Sequence, residues 1–243
     1  LGAPSFAAVP LVPVIYRHAD FLLVDKPAGL SFHSEQGEGL VARVAREQGE
    51  PLYPVHRLDK ETSGLLLLAR SSTAAATLSA LFANQQIEKF YLALAVGKPA
   101  QKQGWVKGDM QPARGGSYKL LKTMQDPAVS YFISAGLTDA ALPVGSRLFL
   151  VKPWTGRTHQ IRVALKSMSA AIAGDSRYGG VSAERMYLHA YALRFYYQQQ
   201  LVQIVLPPEQ GAWFVTSAVA NQCIQWSAPF DLNWPAYKKP ERA

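Results

Sequence analysis

A nine-residue polar stretch, His56-Arg57-Leu58-Asp59-Lys60-Glu61-Thr62-Ser63-Gly64, runs without a spacer into four leucines, Leu65 to Leu68. Four apolar residues are too few for a buried helix and suit one short strand inside a sheet. The chain must therefore set a charged loop directly on the rim of its core. Such a mounting is rigid below and reaches solvent above, which suits a reactive group. A turn in which Asp59 and Thr62 merely satisfy backbone amides would have the same pattern.

The other apolar runs are short as well. Val14 to Tyr16 and Phe21 to Val24 read as strands about a polar turn, and Lys26-Pro27-Ala28-Gly29 forces the next turn. Residues 39–48 carry Leu40, Val41, Val44 and Ala45 at helical spacing. Ser71 or Ser72 caps a second helix running to about Gln86. Phe90–Val96, Val129–Ser134 and Arg147–Lys152 read as strands, and 98–127 as a loop-rich or hairpin segment. A third helix is expected over Thr158–Ser167, and Met186–Phe195 with Leu201–Leu206 form a closing hairpin. Strands outnumber helices, and the helices interrupt them irregularly. That predicts an α+β fold with a mixed, mostly antiparallel sheet flanked by helices and loops. Residues 1–13, with three prolines, read as an N-terminal arm. Residues 14–215 read as the domain, and 216–243 as a C-terminal extension packed on it or trailing from it.

The formal net charge is +8, and its distribution matters more than its size. Between Lys89 and Gly174 there are 12 basic residues and three acidic ones, whereas the remainder is nearly balanced. Clustering on one stretch is the footprint of a polyanion partner such as a nucleic acid. A basic face kept for solubility gives the same count. The single cysteine, Cys223, rules out an intrachain disulfide and a Cys-rich zinc site. It lies in the apolar run Ala218–Trp226, which suits a buried thiol. The five histidines form no HxxxH or HExxH pair, so no metal site is expected. There is no signal pattern and no apolar run near the ~18–20 residues of a membrane span. A soluble, cytoplasmic and monomeric protein is expected.

A second polar concentration is Thr155-Gly156-Arg157-Thr158-His159-Gln160-Ile161-Arg162. Its backbone and side-chain donors at a helix start suit an anion, although a capped helix with a solvated first turn would look alike. No GxxxxGK[ST] or GxGxxG motif is present, so no nucleotide cofactor is expected. A phosphatase-type DxDxT nucleophile fits poorly, because Glu61 stands where the second Asp would be.

Together, HRLDKETSGLLLLAR, KFYLALAVG, TGRTHQIRVAL, GDSRYGG and LHAYALRF, in this order, resemble the RluA-type family of RNA pseudouridine synthases. VIYRHADFLLVDKPAGLSFH is similar to that family's opening strand pair. The resemblance runs from about Val14 to Leu206. It implies isomerisation of uridine in RNA to pseudouridine: the N-glycosidic bond breaks and the sugar rejoins at C5 of the base. No cofactor or metal is implied.

By the same resemblance, Asp59 is the catalytic aspartate, acting as a nucleophile at sugar or base or stabilising charge on the sugar. Tyr91 is the active-site tyrosine, stacking on uracil and helping remove the C5 proton. Arg157 is the arginine paired with Asp59, where a guanidinium favours the charged carboxylate. Arg57 enters the RNA stack as the target base leaves it, and Leu188 is an apolar wall. Thr158, His159 and Gln160 contact RNA, as do Lys102, Lys107, Lys119 and Arg162 along the basic stretch. Two positions depart from the family pattern: Ala164 stands where many relatives have His, and Ala171 where Pro is common. Either could alter an RNA contact. With few residues before Val14, no N-terminal RNA-binding domain is expected, and a stem-loop of tRNA or of 23S rRNA is the expected substrate. A non-catalytic RNA-binding or RNA-folding protein on the same scaffold is the alternative.

Overall fold

The computed structural model describes residues 10–32 and 38–237, so most of the expected N-terminal arm lies outside the described residues. In chain order the elements begin with β1 (Val14–Arg17), β2 (Phe21–Lys26), α1 (Leu40–Gln48), β3 (Tyr53–Pro54), β4 (Ser63–Ala69) and α2 (Ser72–Ala83). Next come β5 (Glu88–Val96), β6 (Gln103–Gly108), β7 (Met110–Pro112), β8 (Tyr118–Leu120), β9 (Ala128–Gly136) and β10 (Ser146–Pro153). The chain continues through α3 (Gln160–Ser167), β11 (Leu188–Tyr197), β12 (Gln200–Val205) and α4 (Ser217–Gln225).

The four leucines form the middle of β4, and every residue of that strand is buried. The main sheet runs β1-β2-β4-β11-β5-β10-β9-β6, with β3 added to β4 and β12 to β11. Its pairings are antiparallel except β4 with β11. This is the α+β architecture the sequence predicts. Among the described residues no helix is long and apolar enough to cross a membrane.

The β4–β11 contact ties the two halves together. Gly64 has φ +104°, and a Cβ there would lie 2.4 Å from the Ala190 carbonyl oxygen. Only glycine allows the strands to approach so closely. Beside it, the Ser63 hydroxyl meets His189 Nδ1 at 2.8 Å, and His189 Nε2 donates to the Leu206 carbonyl at 2.9 Å. One hydrophobic core, with Leu22, Leu67, Leu78 and Phe195, lies on the β2–β4 side. The other, with Phe90, Phe149, Ile172 and Tyr191, lies on the β5–β10 side.

Three local differences from the sequence reading have physical causes. Residues 98–127 hold the expected hairpin, β7–β8, and also a strand that was not expected, β6, which completes the sheet edge on β9. Helix α3 starts at Gln160 rather than Thr158, because His159 turns the chain with φ +57°. The run around Cys223 is a helix, α4, capped by the Thr216 hydroxyl on the Val219 amide. Val219, Cys223 and Trp226 enter the second core, so residues 217–226 are packed and do not trail. Burial pushes the Cys223 thiol up to about 11.

Candidate active site

A cleft of about 530 Å³ opens where the loop before β4 faces the turn between β10 and α3. Its lining includes Arg57, Asp59, Tyr91, Arg157, Thr158, His159, Gln160, Arg162 and Leu188. Two distant sequence segments thus become opposite walls.

The first wall is fixed by its backbone. The Thr62 amide donates to the Asp59 carbonyl at 3.1 Å, closing the turn that carries the carboxylate. Lys26, fully buried at the end of β2, donates from Nζ to the carbonyls of Lys60 at 2.8 Å, Thr62 at 2.7 Å and Pro27 at 3.1 Å. Burial pulls the Lys26 ammonium down to about 7, with the carboxylates of Glu61 and Asp59 pulling the other way. His56 stacks on Phe82 at 4.3 Å and accepts the Leu67 amide at Nε2, 3.0 Å away. Burial pushes His56 down to about 3, so it braces the wall as a neutral ring.

The second wall is organised by Gln160. Its Nε2 donates to the Val129 carbonyl and the Ser130 hydroxyl, and its Oε1 accepts the Thr155 hydroxyl and the Arg157 amide. Every hydrogen-bonding position of the amide is occupied. Gln160 is therefore a buried strut and not the RNA contact expected from the sequence. Thr158 is exposed at the rim.

The arginine that meets Asp59 is Arg162. Its Nη1 lies 3.2 Å from Asp59 Oδ2, while Nε and Nη2 form a fork on Asp175 at 2.8 and 2.9 Å. Arg157 instead leans out to pair with Asp126 at the surface. The expected Arg157–Asp59 pair is thus replaced by Arg162–Asp59. The αL turn at His159 decides this: Arg157 precedes the turn, whereas Arg162 lies in the first turn of α3 and points into the cleft. Arg162 is 5% exposed, so it is no open RNA-binding cation either. Burial opposes its charge, and Asp175 and Asp59 outweigh that, holding its pKa above the usual range. Asp175, from the GDSRYGG segment, was not singled out in the sequence; an acidic residue ending a long carboxylate-free basic stretch was the available signal.

Tyr91 and Leu188 come from adjacent strands, β5 and β11, and line the cleft beside Asp59. Burial, and then the Asp59 charge, raise the Tyr91 phenol above its usual range. His159 has its Nε2 3.9 Å from Asp59 Oδ2, and its Nδ1 accepts from the Tyr178 hydroxyl at 2.8 Å. That hydroxyl in turn accepts the Tyr118 amide at 2.9 Å, linking the β7–β8 hairpin to the site. Burial lowers the His159 pKa, with Asp59 opposing and Arg162 and Arg177 reinforcing.

Arg57 is exposed at the cleft rim and makes no ion pair among the described residues. Lys102 and Lys119 are exposed, while Lys107 lies over the Trp105 ring, its Nζ 4.0 Å from the centroid. Ala164 is buried at 4% within α3 and packs in the core, which removes it from any RNA contact. Ala171 is half-buried.

A family model described as RNA pseudouridylate synthase matches residues 20–167. The chain belongs to the RluA-type family of RNA pseudouridine synthases. This synthase is 42% identical over 215 residues to an uncharacterized RNA pseudouridine synthase of Haemophilus influenzae, covering 87% of this chain and 94% of that protein. It is 34% identical to a ribosomal large subunit pseudouridine synthase C of Rickettsia bellii, over 73% of this chain and 61% of that relative. It is 29% identical to a tRNA pseudouridine synthase C of Haemophilus ducreyi, over 79% of this chain and 88% of that one. In fold the synthase is similar to human RNA Pseudouridylate Synthase Domain Containing 1, with a TM-score of 0.75 over 93% of this chain and 97% of that one, at 23% identity.

Proposed function

We propose that this RNA pseudouridine synthase isomerises uridine in a structured stem-loop of tRNA or large-subunit rRNA, with Asp59 as the attacking group. The observation that carries the reading is the Asp59 carboxylate, held 3.2 Å from Arg162 on the wall of a cleft that also holds Tyr91 and Leu188. A buried arginine that is itself fixed by Asp175 orients Asp59 without reaching for the substrate.

The target uridine cannot react while stacked, so it must leave the helix at a cost of a few kcal/mol. Arg57, unpaired at the rim, fills the space the base vacates. In the cleft the uracil lies between Tyr91 and Leu188. Asp59 attacks the nucleotide, the N-glycosidic bond breaks, the base turns, a carbon–carbon bond forms to C5, and the covalent bond to Asp59 breaks, which returns the free carboxylate. The C5 proton then leaves to solvent while N1 gains one, so the product is an isomer. Burial, and then the Asp59 charge, keep the Tyr91 phenol protonated, so it helps remove the C5 proton as a relay, taking that proton at its oxygen while its own proton passes to solvent.

The test begins by mapping pseudouridines in cells with and without this protein. A transcript of each site that disappears is then turned over in vitro by wild type and Asp59→Ala. Loss of isomerisation with RNA binding retained is expected. Retained turnover overturns the Asp59 assignment. A cellular effect that survives Asp59→Ala favours the RNA-folding reading.

A further inference from the structure

Among the described residues two cations lining the cleft have no partner: Arg57, which is exposed at the rim, and Lys89, which is half-buried inside it; the others around the cleft are held. Lys26 has three carbonyls, Arg162 has two carboxylates, Arg157 has Asp126, and Lys152 shares Glu88 with Arg194. Lys89 is half-buried on β5, and its ammonium makes no hydrogen bond or ion pair among the described residues. The centroid of the Phe82 ring lies 6.0 Å from Nζ. Desolvation alone pulls this ammonium down to about 8. An isolated charge kept out of water costs stability, so an unpaired one marks a place where an anion arrives.

The surroundings say which anion. Among the described residues Asp59 is the one carboxylate lining the cleft, and Arg162 already holds it. His56, Phe82 and Gly156 lie near Lys89, and none of them is acidic. Gly156 has no side chain to cover the ammonium: a Cβ there would already stand 3.8 Å from Nζ. Fully buried side-chain nitrogens and oxygens all have partners among the described residues, so Lys89 Nζ opens toward the cleft. Lys89 and Tyr91 are two residues apart on one strand and so share a face, ~7 Å apart. That spacing is comparable with the span from a nucleobase to its own phosphate.

We infer that Lys89 is a phosphate subsite, which takes the phosphodiester of the flipped nucleotide while Tyr91 takes its base. This rests on the reading of the cleft as the uridine site. Lys89 is then a positioning residue for the substrate, with no part in proton transfer.

Two measurements test it. In the first, the wild-type protein is reductively methylated with formaldehyde and borohydride, and modification of Lys89 is followed by peptide mass spectrometry. Uridine 3′-monophosphate should slow Lys89 labelling at least fivefold, and uridine at the same concentration should not. Equal slowing by both, or by neither, overturns the subsite. In the second, a transcript that wild type turns over is given to Lys89→Met and Lys89→Arg. Lys89→Met should raise KM at least tenfold, leave kcat within threefold and lower the log–log salt slope by about one. Its melting temperature should hold or rise, because an unpaired ammonium has gone. Lys89→Arg should restore most of the affinity. A loss of kcat at unchanged KM, or a fall in melting temperature that accounts for the lost activity, overturns the proposal. If wild type turns over no transcript, the functional reading fails by itself, and the labelling result still decides the phosphate subsite.

Discussion

The wall that carries Asp59 is braced from behind by a cation, and the wall facing it by a neutral amide. Lys26 gathers the carbonyls of Pro27, Lys60 and Thr62, whereas Gln160 ties Thr155, the Arg157 amide, Val129 and Ser130. An amide has no charge to desolvate, so the second brace is nearly indifferent to pH and salt. A buried ammonium is costly and holds only while its acceptors and the nearby carboxylates offset that cost. The Asp59 wall is therefore electrostatically coupled to its support, and the opposite wall is coupled to its support by shape.

The largest effect should come from cutting the bridge between the walls. Arg162→Ala leaves Asp175 buried without its fork, which should cost about 3–5 kcal/mol. Turnover should fall with it, by ~10³-fold. Arg157→Ala, at the surface with Asp126, should cost under about 1 kcal/mol. Denaturant unfolding and turnover of both variants check this, and equal effects would break the distinction between the two arginines.

Next come the braces themselves. Lys26→Met should cost about 3 kcal/mol, since the carbonyls of Lys60 and Thr62 lose their buried donor. Gln160→Leu should cost about 2 kcal/mol. The turnover loss should be larger for Lys26→Met than for Gln160→Leu at matched stability, because Lys26 supports the loop that carries Asp59. The opposite ranking would place the catalytic sensitivity on the other wall.

Much of this was legible in the sequence, for reasons that differ by residue. The boundary between HRLDKETSG and the four leucines located both the loop and β4, because a polar-to-apolar step is a local property. Ser71 as the cap of α2 was legible for the same reason, its hydroxyl accepting the Ala74 amide. The partner of Asp59 was not. Arg157 and Arg162 are equally plausible until the positive φ at His159 sets the phase of α3, and nothing local demands that turn of a histidine. Lys26 and Lys89 looked like ordinary basic residues. Their burial depends on segments that arrive from elsewhere in the chain.

Acid offers a finer probe of the two walls. His189, behind the first wall, has its pKa pushed down to about 4 by burial, against 6.5 in the unfolded chain. Between those values the unfolded state binds more protons, so stability falls as pH drops from 6.5 toward 4. The loss should approach about 2–3 kcal/mol. His189→Gln should reduce that slope in denaturant titrations and leave the part that His56, also lowered by burial, contributes in the same sense. The comparison with wild type separates His189 from Asp25, whose pKa is raised to about 6, chiefly by burial, and which acts in the opposite sense. An unchanged slope would remove His189 from the account.

The smallest effects should lie outside the walls. Neutralising Lys102 or Lys119, both exposed, should weaken RNA binding a few-fold and lower the salt slope by about one each. The rate on bound RNA should stay unchanged. A change in that rate would extend the reactive site beyond the cleft.

The close crossing of Gly64 and Ala190 has a consequence for when the molecule becomes active. Ser63 and His189, which meet beside it, are 126 residues apart in sequence. Contacts of such separation form late, because the loop between them must close first. During synthesis the Asp59 loop leaves the ribosome long before the strand that seats it. A nascent chain that ends before β11 has the Asp59 loop but lacks Leu188 and the strand that β4 packs against, so the proposed activity should begin only once synthesis has passed that strand.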